Sequence, residues 1–303
     1  MDHCTLCPRA CGADRAAGVR GRCHETATVR IARASLHEWE EPCLSGERGS
    51  GTVFFTGCPL GCVYCQNHNI ADGTNGVPAS VRELADVFLQ LQELGAHNVN
   101  LVTPTHFVPQ ICEALGDAKA RGLSVPVVYN TGTYETVETL RRLEGLVDVW
   151  LPDFKYVSSE LSARYSAAPD YFDVAAAALD EMVRQTPLAV FDDDGMMTKG
   201  VLVRHLVLPG HTEDSKAVLR YLYETYGDDI YVSIMSQFTP LPHLAERCPE
   251  LDRRVTHEEY EDVLDFAMDL GLTRAFIQEG EAASESFIPD FEHFDLNAFL
   301  RSE

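Results

Sequence analysis

From residue 79 onward the chain alternates between two spacings of apolar residues. Val81, Leu84, Val87, Phe88 and Leu91 recur at three- and four-residue steps, which predicts a helix over 79–94 ending at Gly95. The partly β-branched segment 98–102, Asn-Val-Asn-Leu-Val, that follows predicts a strand. The same pair then repeats. Helices are predicted over 107–121, 133–143, 170–185, 213–226 and 256–270, with strands over 125–129, 147–151, 201–208, 230–235 and 273–277. An acidic turn, Asp192 to Gly195, precedes the strand at 201, and another β-prone run lies at 52–56. Strands separated by helices of about ten to fifteen residues build βαβ units around a parallel sheet. Six or seven such units fit either an open or partial (β/α) barrel or a doubly wound sheet, and periodicity does not separate the two. In both, ligands gather at the carboxyl ends of the strands.

Composition narrows the class. At 303 residues with 45% hydrophobic content, the chain suits one barrel-sized domain, or a domain plus an appendage. Its net charge of −23 is unevenly spread. Residues 1–50 carry seven Lys/Arg against seven Asp/Glu, whereas 51–303 carry seventeen against forty. Such a field repels phosphate backbones, so nucleic acid is not an expected partner. Acidity alone says nothing about the substrate. No run of ~18 uncharged apolar residues occurs, so no membrane span is expected. The beginning of the chain lacks the apolar core of a signal peptide, and a cytoplasmic protein is expected. In that compartment thiols stay reduced, so ten cysteines favour metal ligation over disulfides.

Cys58, Cys62 and Cys65 stand at C-x3-C-x2-C spacing in a loop after the β-prone run. Three thiolates so placed can hold three corners of a cubane iron–sulfur cluster. No fourth cysteine lies near in sequence, so one iron would stay open for a small molecule. The competing readings are a three-thiolate zinc site and buried structural cysteines. Zinc spacings, however, usually run in C-x2-C pairs.

The segment from Gly49 to Asn67 resembles the cluster loop of radical S-adenosylmethionine enzymes. It is similar to the pyruvate formate-lyase activating enzyme group and its uncharacterised relatives. The resemblance implies a partial (β/α) barrel of the radical SAM type and a [4Fe-4S] cluster whose open iron chelates the amine and carboxylate of S-adenosylmethionine. It places Tyr64 near the adenine. It further implies reductive cleavage of S-adenosylmethionine to a 5′-deoxyadenosyl radical, hydrogen abstraction, and an external flavodoxin- or ferredoxin-like reductant. The hydrogen would come from a glycine of a partner enzyme, with a small molecule or another peptide left open.

Further residues follow at the strand ends. Where the family usually has Gly-Gly-Glu facing the methionine amine, this chain departs, with Thr103, Pro104 and Thr105. A turn capping a helix is an equal reading of that segment. Asn130-Thr-Gly-Thr133 resembles an Asp-Thr-Asn-Gly segment, and Leu151-Pro-Asp-Phe-Lys155 an Asp-Leu-Lys motif. The resemblance puts Thr131, Asp153 and Lys155 beside the cofactor or a monovalent cation, with Asn130 lacking the family's charge. An exposed Asp/Lys turn is the bland alternative. Arg204 matches a strand arginine that reaches the cofactor. In its apolar strand it needs an anion or carbonyls, and a structural salt bridge would also serve. His205 points to the opposite face as a surface or helix-packing residue. Residues 235–239 and Gln278-Glu279 end later strands and are expected at the pocket.

The beginning of the chain holds a second set, Cys4, Cys7, Cys11 and Cys23, at spacings suited to zinc or a second iron–sulfur cluster. The alternative is free thiols in a loosely ordered leader. Cys43 is a spare candidate ligand, while Cys112 and Cys248 read as structural. The expected organisation is a cysteine-rich N-terminal extension over 1–50, the barrel over 51–280 and a tail over 281–303. Two other functions compete with radical chemistry: a cluster-bearing electron-transfer or redox-sensing protein, and a zinc-stabilised binding module.

Overall fold

The computed structural model describes residues 3–277, 289, 291 and 293–302. Ten strands are present among them: β1 (Val29–His37), β2 (Ser50–Phe55), β3 (Val77–Ala79), β4 (Val99–Val102), β5 (Val127–Thr131), β6 (Val149–Pro152), β7 (Val190–Phe191), β8 (Met197–Leu206), β9 (Tyr231–Met235) and β10 (Ala275–Ile277). They run in the order β10-β9-β8-β6-β5-β4-β2-β1-β3, with β7 attached to β8. The seven strands from β2 to β10 on that path are parallel, while β1, β3 and β7 are antiparallel additions. The two ends of the path do not pair, so the curved sheet stays open, as a partial barrel requires.

The helices are α1 (Pro42–Ser45), α2 (His68–Ala71), α3 (Val81–Glu93), α4 (Val108–Ala120), α5 (Val137–Arg141), α6 (Ser159–Ser166), α7 (Tyr171–Gln185), α8 (Thr212–Tyr226), α9 (Leu244–Arg247), α10 (His257–Leu270) and α11 (Leu296–Phe299); α3 to α11 pack into the main core, while α1 and α2 do not. Both α3 and α10 begin with full capping boxes, Ser80 with Glu83 and Thr256 with Glu259, so their starts are fixed by side-chain chemistry. Strand residues alternate faces. Tyr129, Trp150, Val201 and Val203 pack with the helices in the main core. Val128, Val149, Leu151, Leu202 and Met197 point the other way and form a smaller cluster with Cys43 and Leu44 of α1. That cluster is the apolar floor of the concave side. Cys43 is therefore a floor residue and not a spare ligand. Asn130, Asp153 and Arg204, each two residues along the same faces, rise above the floor.

The parallel elements lie close to their predicted places, with informative shifts. The strand predicted at 125–129 runs from Val127 because Pro126 precedes it with no N–H to give. Helix α5 is shorter than expected. Thr133 takes a left-handed φ of 62°, and Thr136 caps the helix by accepting from Thr139 N–H. The short elements β3, β7, α1, α2, α9 and α11 went unpredicted, as did the longer β1 and α6. β1 is interrupted by Arg30 and Arg33, and a register shift between Ile31 and Arg33 breaks its period of two. β3 has three residues, and α6 carries little apolar periodicity. Both β1 and α1 fall within residues 1–50, so that stretch supplies an inner antiparallel strand and the floor besides its cysteines. Among the described residues no helix is long and apolar enough to cross a membrane.

Candidate active site

At the carboxyl ends of the parallel strands lies a cavity of about 250 Å³. Cys58, Cys62 and Cys65 line one side of it, and Glu40, Asn130, Asp153, Lys155 and Arg204 line the floor. The cysteine loop is shaped by its backbone. Gly57 has φ 78°, and a Cβ there would collide with the carbonyl of Cys23 and come within 2.6 Å of Glu25 Cγ. The Cys65 N–H donates to the Cys62 carbonyl at 3.2 Å, folding the last two cysteines into a turn. The backbone also donates to sulfur, from Leu60 and Gly61 to Cys58 and from Asn67 to Cys65. The Ser166 hydroxyl donates to Cys62 Sγ at 3.0 Å.

Burial, reinforced by the neighbouring sulfurs, pushes the Cys58 thiol up to about 11 and Cys65 to about 12. Three thiolates gathered here need a positive centre to hold them. Among the described residues no three Cys, His, Asp or Glu side chains meet around one point as a single ion would demand. The C-x3-C-x2-C spacing of the loop fits a cubane, whose corners sit on separate irons. No other cysteine lines the cavity, so the donor set stops at three.

The cavity floor is a charge network. Arg204 donates to Asp153 Oδ1 at 2.8 Å, to Glu40 Oε1 at 2.6 Å and to Asn130 Oδ1 at 2.8 Å. Lys155 Nζ donates to Asp153 Oδ2 at 2.8 Å, and Glu40 Oε2 accepts from Asn100 and Asn130. Burial alone would raise the Asp153 carboxyl, but Arg204 and Lys155 hold it below its usual range. Lys155 moves the other way, upward despite burial, because Asp153 faces it. Two cations thus balance two carboxylates, which lets all four sit largely withdrawn from water at the cavity wall. Both oxygens of Asp153 are committed to protein cations. The anions Arg204 needed are Asp153 and Glu40. Neighbouring Glu41 is raised to about 7, chiefly by burial, with Arg204 opposing.

The threonines after the second and third parallel strands also line the cavity. Thr105 and Thr131 each donate a hydroxyl at 2.6 Å to Glu135 Oε1, to which Tyr129 adds a bond at 3.3 Å. Glu135 is raised to about 7 by burial, which those bonds only partly offset. Thr103 adopts φ 57°, a left-handed conformation that a β-branched residue rarely takes. Tyr64 is buried against Tyr156, Tyr165 and Phe238. Its hydroxyl is 2.6 Å from that of Tyr156, which lies 2.9 Å from Ser166 Oγ. Met235 and Gln237 reach the cavity, whereas Gln278 and Glu279 lie outside the described residues. His205 faces the helix side, buried, and is held at about 4 by burial, its Nδ1 at 2.8 Å from the Phe154 carbonyl.

Glu40, Glu135, Tyr156 and Ser166 were not singled out from the sequence. Glu40 sits in the acidic run 38–41, which reads as a solvated loop. The only sequence signal for it was the unmatched arginine at 204.

Residues 52–222, more than half of the chain, match the Radical SAM superfamily. An uncharacterized protein of Methanocaldococcus jannaschii is 31% identical over 274 residues, covering 88% of this chain and 74% of that protein. The chain belongs to the radical SAM superfamily, whose members use a [4Fe-4S] cluster and S-adenosylmethionine. Among solved structures, Streptococcus suis SuiB bound to S-adenosylmethionine aligns at a TM-score of 0.51 and 12% identity, covering 74% of this chain and 49% of that one. SuiB bound to its precursor peptide SuiA aligns at 0.51 and 13%, covering 80% and 52%. The chain thus spans about half the length of those solved chains, and the likeness is one of fold.

Proposed function

We propose that this chain reductively cleaves S-adenosylmethionine and uses the resulting radical to take a hydrogen atom from a substrate. The observation that carries this reading is a three-sulfur loop, without a fourth thiol, opening onto a polar cavity. When bound, the cluster and S-adenosylmethionine supply one electron and a 5′-deoxyadenosyl group. The protein's part is placement. Cys58, Cys62 and Cys65 would hold the cluster, and Tyr64 would bound the nucleoside side. Thr103, Thr105, Asn130, Thr131, Asp153, Lys155 and Arg204 would shape the side that takes the amino-acid moiety. The Arg204–Glu40–Asp153–Lys155 network keeps that floor rigid and near neutral. The rings of Tyr156, Tyr165 and Phe238 packed on Tyr64 would help exclude water from that side of the cavity when the cofactor is bound.

The finer reading is an activating-enzyme-like role, with a glycine of a partner protein or peptide giving up the hydrogen. It is supported by the likeness of residues 49–67 to that group's loop. A flavodoxin- or ferredoxin-like protein would supply the electron. A plain electron-transfer protein has no use for a polar cavity beside its cluster, which favours the radical reading. With dithionite and S-adenosylmethionine under anaerobic conditions, 5′-deoxyadenosine should accumulate, and Cys62→Ala should abolish it. Deuterium carried from a labelled partner glycine into 5′-deoxyadenosine would identify the hydrogen donor. Iron-loaded protein that yields no 5′-deoxyadenosine would overturn the reading.

A further inference from the structure

A second gathering of sulfur sits against the first. Cys4, Cys7 and Cys23 are buried and Cys11 is exposed. Cys11 and Cys4 are hydrogen-bonded, and Cys4 and Cys23 lie within electrostatic reach of Cys7, as Cys4 and Cys11 do of Cys23. Gly21 fills a gap where a Cβ would stand 3.3 Å from Cys11 Sγ and 3.4 Å from Cys23 Sγ. Backbone groups two residues on donate to sulfur, from Arg9 to Cys7, Ala13 to Cys11 and Glu25 to Cys23. The loop at Cys58 uses the same device, from Leu60 to Cys58 and Asn67 to Cys65. Hydrogen bonds to sulfur favour the thiolate and are among the levers by which proteins tune clusters.

Residues 3–28 contain no helix or strand, so sulfur and its ligand are the natural means of ordering them. Both sulfur sets share these backbone donors, and the set at 58–65 belongs to a family that uses a cubane. The two sets are also physically joined. Cys58 N–H donates to the Cys23 carbonyl at 3.2 Å. Arg9 donates to the carbonyls of Pro59 at 2.9 Å, Leu60 at 3.3 Å and Ser166 at 2.8 Å. Exposed Cys11 accepts from the backbone of exposed Arg22, within residues 9–24, which carry four arginines, Arg20 among them, against the single acid Asp14.

We propose that Cys4, Cys7, Cys11 and Cys23 hold a second iron–sulfur cluster that feeds electrons to the first across the Cys23 carbonyl–Cys58 amide hydrogen bond. The proposal rests on the reading above for the first cluster. In each transfer the N-terminal cluster is oxidised by one electron and the cluster on Cys58 is reduced by one. A reduced flavoprotein or ferredoxin-type donor, acidic enough to meet Arg20 and Arg22, re-reduces the N-terminal cluster by one electron at the Cys11 edge.

The test compares the anaerobically isolated protein with a Cys4→Ala/Cys7→Ala variant and a Cys58→Ala/Cys62→Ala/Cys65→Ala variant, by iron, sulfide and zinc content and by electron paramagnetic resonance. The expected contents are about eight irons for the unaltered chain and about four for each variant. Reduced flavodoxin should reduce the cluster left in the Cys4/Cys7 variant more slowly by about tenfold or more, while dithionite still reduces it. If the Cys4/Cys7 variant does not fold, the triple variant decides by retaining about four irons and a cluster signal. Zinc in place of iron, a triple variant without iron, or unchanged reduction by flavodoxin would each overturn the proposal. Loss of all iron in the triple variant would leave the first cluster's reading intact. A triple variant holding all the iron of the unaltered chain would instead sink that reading.

Discussion

Ser166 joins two parts of the site that are far apart in sequence. A thiolate only accepts, so the Ser166 hydroxyl must give its hydrogen to Cys62 and accept from Tyr156, which in turn accepts from Tyr64. The chain of hydroxyls therefore has one direction, ending on a cluster ligand. Removing it with Ser166→Ala should make the cluster harder to reduce, by roughly tens of millivolts, read by potentiometric titration. An unchanged midpoint would show that this bond has no electronic role. Arg204→Ala strands Glu40 and Asp153 in a buried floor and should cost about 3 kcal/mol in chemical denaturation. Arg204→Lys should recover little, since an ammonium lacks the planar fork that spans three acceptors.

Glu135 gives a pH signature. Its carboxyl is raised from 4.5 to about 7 in the folded chain. Between those values the folded form keeps a proton the unfolded form has lost, so stability falls as pH rises through the window, by up to about 3 kcal/mol. Melting temperatures of Glu135→Gln should fall less between pH 5 and pH 7 than those of the unaltered chain. Parallel slopes would mean the carboxyl is already ionised in the fold. At this scale the sequence disclosed the residues whose chemistry is local, Cys58, Cys62 and Cys65. It hid Glu40 and Glu135, whose burial comes from segments 60 or more residues from Glu40 and from the turn before α5.

Among elements, the parallel strands and their helices were legible because each carries its own period and its own stop. The capping box of α3 is an example, and Ser80→Ala should cost about 1 kcal/mol while leaving iron content unchanged. A loss of iron in that variant would mean α3 supports the cavity more directly than its packing indicates. The antiparallel β1 was not legible. Its period is broken by a register shift, and its place between β2 and β3 is set by long-range pairing. Periodicity likewise could not choose between an open barrel and a doubly wound sheet. Curvature belongs to the sheet as a whole, and only the likeness of the cysteine loop to a known family pointed to the barrel.

For the whole molecule, the open sheet gathers groups from both ends of the chain into one cavity. Its cysteine side comes from the loop after β2, its cations from β8 and the loop after β6, and a carboxylate from the loop after β1. The account turns on direct contact between S-adenosylmethionine and an iron that no side chain occupies. Electron–nuclear double resonance on the reduced holoprotein, with S-adenosylmethionine labelled by ¹⁵N at its amine and ¹⁷O at its carboxylate, reads that contact. The account predicts hyperfine coupling to both labels, lost in Cys62→Ala. A cluster spectrum that is unchanged by the labelled compound, with no coupling to either nucleus, would contradict it.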